Sequence, residues 1–336
     1  MQQNRLLFFG IIGLAIVVVA GIVLARFFLV EQLDIPIGQP KIAIEVVVAP
    51  SIKPWVDQAA QEYNDTSSTG QVTIIAADKL IPETKFQSGQ QTLPPAAWLA
   101  EASFVVDMAP GSGLQFEDAQ SIAGTSLAWG VYNDKLAQFN QTYGELTWQN
   151  LHTKASNGND VLKIVIASPQ NSAEGLAALI SATASTLNTS SLSGNDISTA
   201  NTWLTETFGD RNTNMPPMPA EAMASVQGLT LGDAGILAVA SWRKVPALNQ
   251  SNNFALIPAQ PNVSLDYPFA IWAGNRATPE AKQAALEFRQ FLLSEDQQNR
   301  LAEFSLEPAG SPPPNSVQVD GQAAINLLRW AERVLQ

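Results

Sequence analysis

Apolar residues fall along this chain in two different patterns. From Leu6 to Ala25 they run for twenty residues without a charged side chain. From Lys41 onward they come as short β-branched runs, separated by stretches whose apolar positions lie three and four apart. The first pattern predicts a membrane-spanning helix, because at 1.5 Å rise per residue it reaches about 30 Å, the thickness of a bilayer's hydrocarbon core. A secretory signal peptide has an apolar region of only ~7–15 residues before a small-residue cleavage site. Here Arg26 is followed by further apolar residues, Phe27 to Val30. The expected organisation is an N-terminal anchor over residues 1–30 with its amino terminus in the cytoplasm. A spacer with two prolines and a glycine follows over 31–41, and everything beyond it lies outside the cell membrane.

The second pattern predicts an α/β fold. Lys41–Ala49 and Gln71–Ala77 read as strands, Ala102–Asp107 as a third, and Ser126–Val131 as a further one. Pro54 opens a helix that puts Trp55, Ala59 and Tyr63 on one side. Later come an Ile197–Phe208 helix and strand-like runs at Leu231–Ala240, Phe254–Ile257 and Leu265–Ala273. Thr278 caps a helix with Pro279 at its first position, and Ser294 with Gln297 forms a capping box for the next. Ile325–Leu335 is a terminal amphipathic helix. Strands alternating with helices imply largely parallel sheets.

One stretch, KIVIASPQNSAEGLAALISA (163–182), carries more than a fold signal. A buried strand stops at Pro169 and turns into an apolar-faced helix, with Asn171 as the expected N-cap and Glu174 completing a capping box. Such a turn leaves free backbone N–H groups, which suit an anion or a carbonyl oxygen. Ser51 follows the first strand, Asn171 and Ser172 open a helix after another, and Gly232-Asp233 precede a third. Ligands of open α/β sheets bind beyond the carboxyl ends of strands. Ser51, Asn171, Ser172 and Asp233 are therefore the candidate ligand-binding residues. Trp98 and Tyr267 are either an aromatic wall of the same cleft or plain core.

Composition narrows the chemistry. The 336-residue chain is 46% hydrophobic and 14% charged, enough for an ample core, with a net charge of −12. Beyond residue 30 the balance is 16 Lys and Arg against 30 Asp and Glu. That excludes nucleic acid and an anionic membrane surface as partners, since both need a basic footprint. The absence of cysteine rules out disulfides, thiolate metal sites and a lipoprotein anchor. His152 is the only histidine, and no nucleophile elbow, H-E-x-x-H, Walker A or dinucleotide-binding pattern accompanies it. No catalytic residue, metal site or cofactor is expected.

Four segments resemble the extracellular or periplasmic solute-binding proteins of ABC transport, of the class that includes molybdate-type binders. They are VVVAPSIKPWVDQAAQEYN (46–64), LTWQNLHTKA with LKIVIASPQNSAEGLAALI, LGDAGILAVAS, and the tail from LDYPFAIWAG to LEPAG. Similar domains also occur beside von Willebrand factor A modules, although the D-x-S-x-S pattern of such a module is missing here. The resemblance implies a class II two-lobed fold with two mixed sheets hinged by two crossing strands. One lobe would be 42–128 plus 270–336 and the other 129–269, with SLAWGV and YPFAIWA as the crossings. It implies a cleft that closes on a small molecule or oxyanion held by Ser51, Asn171 and Ser172, and an ABC permease as partner. No arginine stands in the matching turns, which disfavours amino acids. The membrane helix departs from the family pattern. The alternative is a sensor or adhesion module that uses the same fold, its cleft filled by side chains, to bind a surface protein.

Overall fold

The computed structural model describes residues 41–87, 95–157, 163–209, 212–250, 252–310 and 316–335. The expected anchor over 1–30 and the spacer up to residue 40 lie outside the described residues. Among the described residues, no helix is long and apolar enough to cross a membrane. Residues 42–336 form one compact unit.

Two sheets organise that unit. The first has five strands in the order Gly70–Ala76, Ile42–Val48, Pro95–Leu99, Pro268–Trp272, Phe116–Ser121. Its first three strands are parallel, and Pro268–Trp272 runs antiparallel to both of its neighbours. The second has seven strands. Phe254–Pro258, Ala123–Tyr132, Ala234–Ala238, Ile164–Ile166 and Thr213–Asn214 follow one another across it. Ser264–Leu265 and Glu307–Pro308 add to the long Ala123–Tyr132 strand. The Ala234–Ala238, Ile164–Ile166 and Thr213–Asn214 strands are parallel, and the other pairings are antiparallel.

The chain passes between the sheets at Ile122 and returns at Asp266-Tyr267. The two runs expected to cross therefore sit inside one sheet each, and the crossings are the junctions beside them. Tyr267 explains the return. It has φ 40°, a left-handed conformation rare outside glycine, which turns the chain out of one sheet and into the other. The run Leu265–Ala273, whose apolar residues read as one strand, is broken there for that reason. Asp266 fastens the break by accepting hydrogen bonds from the Ser103 N–H (2.7 Å) and the Ser121 hydroxyl (2.7 Å).

Ala102–Asp107 is not a strand but the start of a helix, Ser103–Met108. The strand of that region is Pro95–Leu99, five residues buried on every side. Its two alanines and its proline give it little local strand signal. What makes it a strand is pairing with Ile42–Val48 on one edge and Pro268–Trp272 on the other. The Leu231–Ala240 run likewise divides, into a strand at Ala234–Ala238 and a helix at Val239–Arg243.

Other elements follow their local chemistry closely. Pro54 starts the Lys53–Thr66 helix, which buries Trp55, Ala59 and Tyr63. Thr278 caps Pro279–Leu292 by accepting from the Ala281 N–H at 3.1 Å. The expected Ser294 box does not form: the Ser294 side chain makes no cap bond, and Gln297 donates instead to Glu62 at 2.7 Å. A partner carboxylate within reach outcompetes the backbone. The C-terminal helix Gly321–Val334 buries Leu327 and Trp330 and packs on the Ser103–Met108, Ala173–Leu187 and Asp196–Phe208 helices, so it touches elements tied to both sheets.

Candidate functional site

The strand Ile164–Ile166 ends in a Pro169 turn that delivers the chain into the helix Ala173–Leu187. Gly175 makes this turn possible. A Cβ there would stand 2.1 Å from the Ala167 carbonyl oxygen, so only glycine lets the loop lie on the first helical turn. The N-cap is Ser172, one residue later than expected, and its hydroxyl accepts from the Glu174 N–H at 3.1 Å. Asn171 is exposed, with its own N–H donating to the Ser168 carbonyl at 3.1 Å. The shift moves Glu174 to the second helical position, where its side chain cannot close a capping box. It is buried instead, and the Ser241 hydroxyl donates to it.

Facing this helix start, at the carboxyl ends of the parallel strands of the first sheet, are Ser51 and Glu101. The Glu101 side chain is almost fully buried (8% exposed) and spends both of its oxygens on hydroxyl and amide donors. Ser51 donates to Oε1 at 2.6 Å. Ser172 donates to Oε2 at 3.1 Å, and the Ala173 N–H donates to the same oxygen at 2.6 Å. Two of the three donors belong to the helix terminus of the second sheet, where amide groups and helix dipole favour negative charge. From the same side, Lys244 reaches across to donate to the Ser51 carbonyl at 2.6 Å.

Tyr267 completes the group. It is buried, with its phenol beside the Ser51 side chain. Burial, and then the charge of Glu101, push the phenol well above its ordinary value. The Tyr267 N–H also donates to the Glu101 carbonyl at 3.2 Å, which ties the crossing to the carboxylate-bearing loop.

The electrostatics follow from the crowding. Burial, and next the neighbouring Glu101 charge, push Glu174 up to about 7, against the opposing effect of Ser241, the Ala238 backbone and Lys244. Burial lowers Lys244, while Glu174, Glu101 and Glu221 pull it back up. Two carboxyl groups and one ammonium thus share a small space, and Glu174 is the one raised toward neutrality.

Of the residues singled out from sequence, the structure brings together Ser51, Ser172 and Tyr267. Trp98 is core, packed on Phe116 with ring centroids 5.2 Å apart. Asp233 is at the wrong end of its sheet. It precedes a strand parallel to Ile164–Ile166, so it lies beside Lys163 rather than beside the Ser172 turn. There it accepts from the Lys163 N–H (3.0 Å) and Lys154 (2.9 Å) and pairs with Lys135 at 3.6 Å. His152 is also remote, stacked on Trp203 and hydrogen-bonded to Thr207 at 2.9 Å. Glu101 and Lys244 were not legible as site residues. The one available signal was an acid set between Ala100 and Ala102 at the end of an apolar run.

A two-sheet α/β fold with polar groups gathered where the chain passes between sheets defines the periplasmic-binding-protein architecture. Residues 44–305 match the model of a bacterial extracellular solute-binding protein family, and the chain belongs to that family. Solved structures agree on the fold. The iron-bound HitA of Pseudomonas aeruginosa is similar with a TM-score of 0.61 at 15% identity, covering 87% of this chain and 99% of that one. The AfuA periplasmic binding protein of Actinobacillus pleuropneumoniae, bound to fructose-6-phosphate, gives 0.60 at 13% identity, over 87% and 99%. The sulfate-binding protein SubI of Mycobacterium tuberculosis gives 0.58 at 13% identity, over 84% and 96%. A comparison with curated proteins finds no match.

Proposed function

We propose that this protein is a membrane-anchored extracellular solute-binding protein that captures a small anion between its two sheets. One observation carries the reading: Ser51 Oγ, Ser172 Oγ and the Ala173 N–H, drawn from both sheets, converge on a single carboxylate at 2.6–3.1 Å. Donors so arranged are a receptor for an anion, and an incoming solute takes the place of Glu101. The 20-residue apolar segment 6–25 supports the anchor, and the family supports a role in ABC-type uptake with a permease as partner. The lobes are proposed to meet along the crossings at Ile122 and Asp266-Tyr267 and to close by hinge motion. No chemistry is performed on the solute.

The test is a thermal-shift screen of the full-length protein with sulfate, molybdate, phosphate, small carboxylates, sugars and amino acids. A solute present at about 100 times its Kd adds ~2.7 kcal/mol of stability. A saturable shift with an anion is expected, and no shift with any of the set counts against solute capture.

A second reading, a sensor or adhesion module for a protein partner, is favoured by the same carboxylate. The cleft residues are satisfied by the chain itself. A pull-down from surface extracts that recovers one partner, with no response to solutes, would select it.

A further inference from the structure

Any carboxylate buried this deeply has to be compensated, and the usual compensation is an arginine or lysine in direct contact. Glu101 has instead two hydroxyls and one helix-terminal amide. Oε1 takes one donor and Oε2 takes two, which is how a free carboxylate would sit on a helix N-terminus. Glu101 reaches this position from the first sheet, on the loop after Pro95–Leu99, while Ser172 and Ala173 belong to the second. Two of its three bonds therefore cross from one sheet to the other.

We propose that Glu101 is a tethered ligand: its carboxylate occupies the anion subsite of Ser51, Ser172 and the Ala173 amide, clamps the two sheets together, and must be displaced before a free carboxylate can bind. The proposal rests on reading those three donors as an anion subsite.

Four further features fit a device of this kind. Lys244 makes a second tie from the second sheet to the first, donating to the Ser51 carbonyl. The Tyr267 N–H holds the Glu101 carbonyl, and Tyr267 stands at the crossing in a left-handed conformation. Release of Glu101 and movement about that crossing are thereby linked through one residue. Glu174, the only other buried acid among the described residues, is raised toward neutrality. The subsite therefore has donors for one anion, with Lys244 as the nearby cation, and it already holds one. A second anion placed beside Glu101 meets like charge in a poorly solvated space. Exchange, not addition, is the way in.

Tethering also sets the strength of the competition. A group on a short loop competes at an effective concentration in the millimolar range or above. Weak free carboxylates therefore fail against the intact chain and succeed once the tether is cut.

The experiment uses acetate as the probe, chosen because it reproduces the terminal carboxylate of Glu101. Full-length wild type and Glu101→Ala are melted and titrated calorimetrically with sodium acetate, with sodium chloride at equal ionic strength as control. Glu101→Ala should melt below wild type, and acetate should raise its melting temperature saturably while leaving wild type unmoved over the same range. Adding Ser172→Ala should weaken that response at least tenfold. Equal responses of wild type and Glu101→Ala to acetate, or no response from a folded Glu101→Ala, overturn the proposal. If the alanine variant does not fold, Glu101→Gln keeps the side-chain shape with a neutral head. Its radius of gyration in solution should exceed that of wild type, and an unchanged radius with an unchanged melt overturns the clamp.

The outcomes separate this inference from solute capture itself. Acetate rescue of Glu101→Ala with a wild type deaf to every screened solute upholds the tethered ligand and removes capture. A solute that binds wild type and Glu101→Ala with the same affinity upholds capture and removes the tethered ligand.

Discussion

The Ala173 amide donates to the Glu101 carboxylate at 2.6 Å, joining the first turn of a helix of one sheet to a loop of the other. A hydrogen bond to a charged group contributes about 1.5–3 kcal/mol when it is well made, and more is lost when the charge is left buried without a partner. The contact between the sheets is therefore chemically specific and open to single substitutions.

Ser172→Ala removes an N-cap and one of the three donors to Glu101 together. Cap loss alone costs about 1 kcal/mol, and the weakened anion contact adds to it. The expected change is a fall of roughly 1.5–3 kcal/mol in urea unfolding free energy, read as a lower midpoint with an unchanged slope.

The pH dependence has a definite sign. Glu174 rises from 4.5 to about 7 in the folded chain, so between those values the folded state holds a proton that the unfolded state has released. Stability attributable to this group is therefore full below about 4.5, falls as pH rises through that window, and levels off above about 7. The loss is on the order of 3 kcal/mol. Glu174→Gln, which stays neutral, should remove the decline. Unfolding free energies of wild type and variant at pH 5 and pH 8 check it: an equal pH dependence in both would refute the role of Glu174.

Lys244→Met cuts the tie to the Ser51 carbonyl and removes a cation that acts on both carboxyl groups. Because Lys244 holds Glu174 down, its loss should move the Glu174 transition to higher pH. Repeating the stability profile on this variant should show the decline displaced upward, along with a lower midpoint at every pH.

Gly175→Ala tests the turn itself. With only 2.1 Å between the new Cβ and the Ala167 oxygen, the loop must move off the helix. Overpacking of this kind costs about 1–3 kcal/mol, and here it also displaces the Ser172 and Ala173 donors. The melting temperature should fall, and the response of Glu101→Ala to acetate should fall with it.

Much of the fold is written locally. The β-branched run at Ile42–Val48, the Pro54 helix start and the Thr278-Pro279 cap each form as their own residues dictate. Periodicity, turn residues and caps act over a few positions, so the sequence by itself determined an α/β chain, the strand-turn-helix at 163–182, and the family through the order of its segments. It also pointed to Ser51, Ser172 and Tyr267. Other features depended on partners far along the chain. Pro95–Leu99 is a strand because two distant strands pair with it, and Leu265–Ala273 is broken because Tyr267 turns between sheets. Asp233 was misplaced because a residue before a strand reaches its neighbours' carboxyl ends only if that strand runs antiparallel to them, and Ala234–Ala238 runs parallel to Ile164–Ile166. Glu101 was invisible for the same kind of reason. A carboxylate becomes an anion ligand only when hydroxyls and an amide 50 to 72 residues away are brought around it, and only the tertiary structure does that.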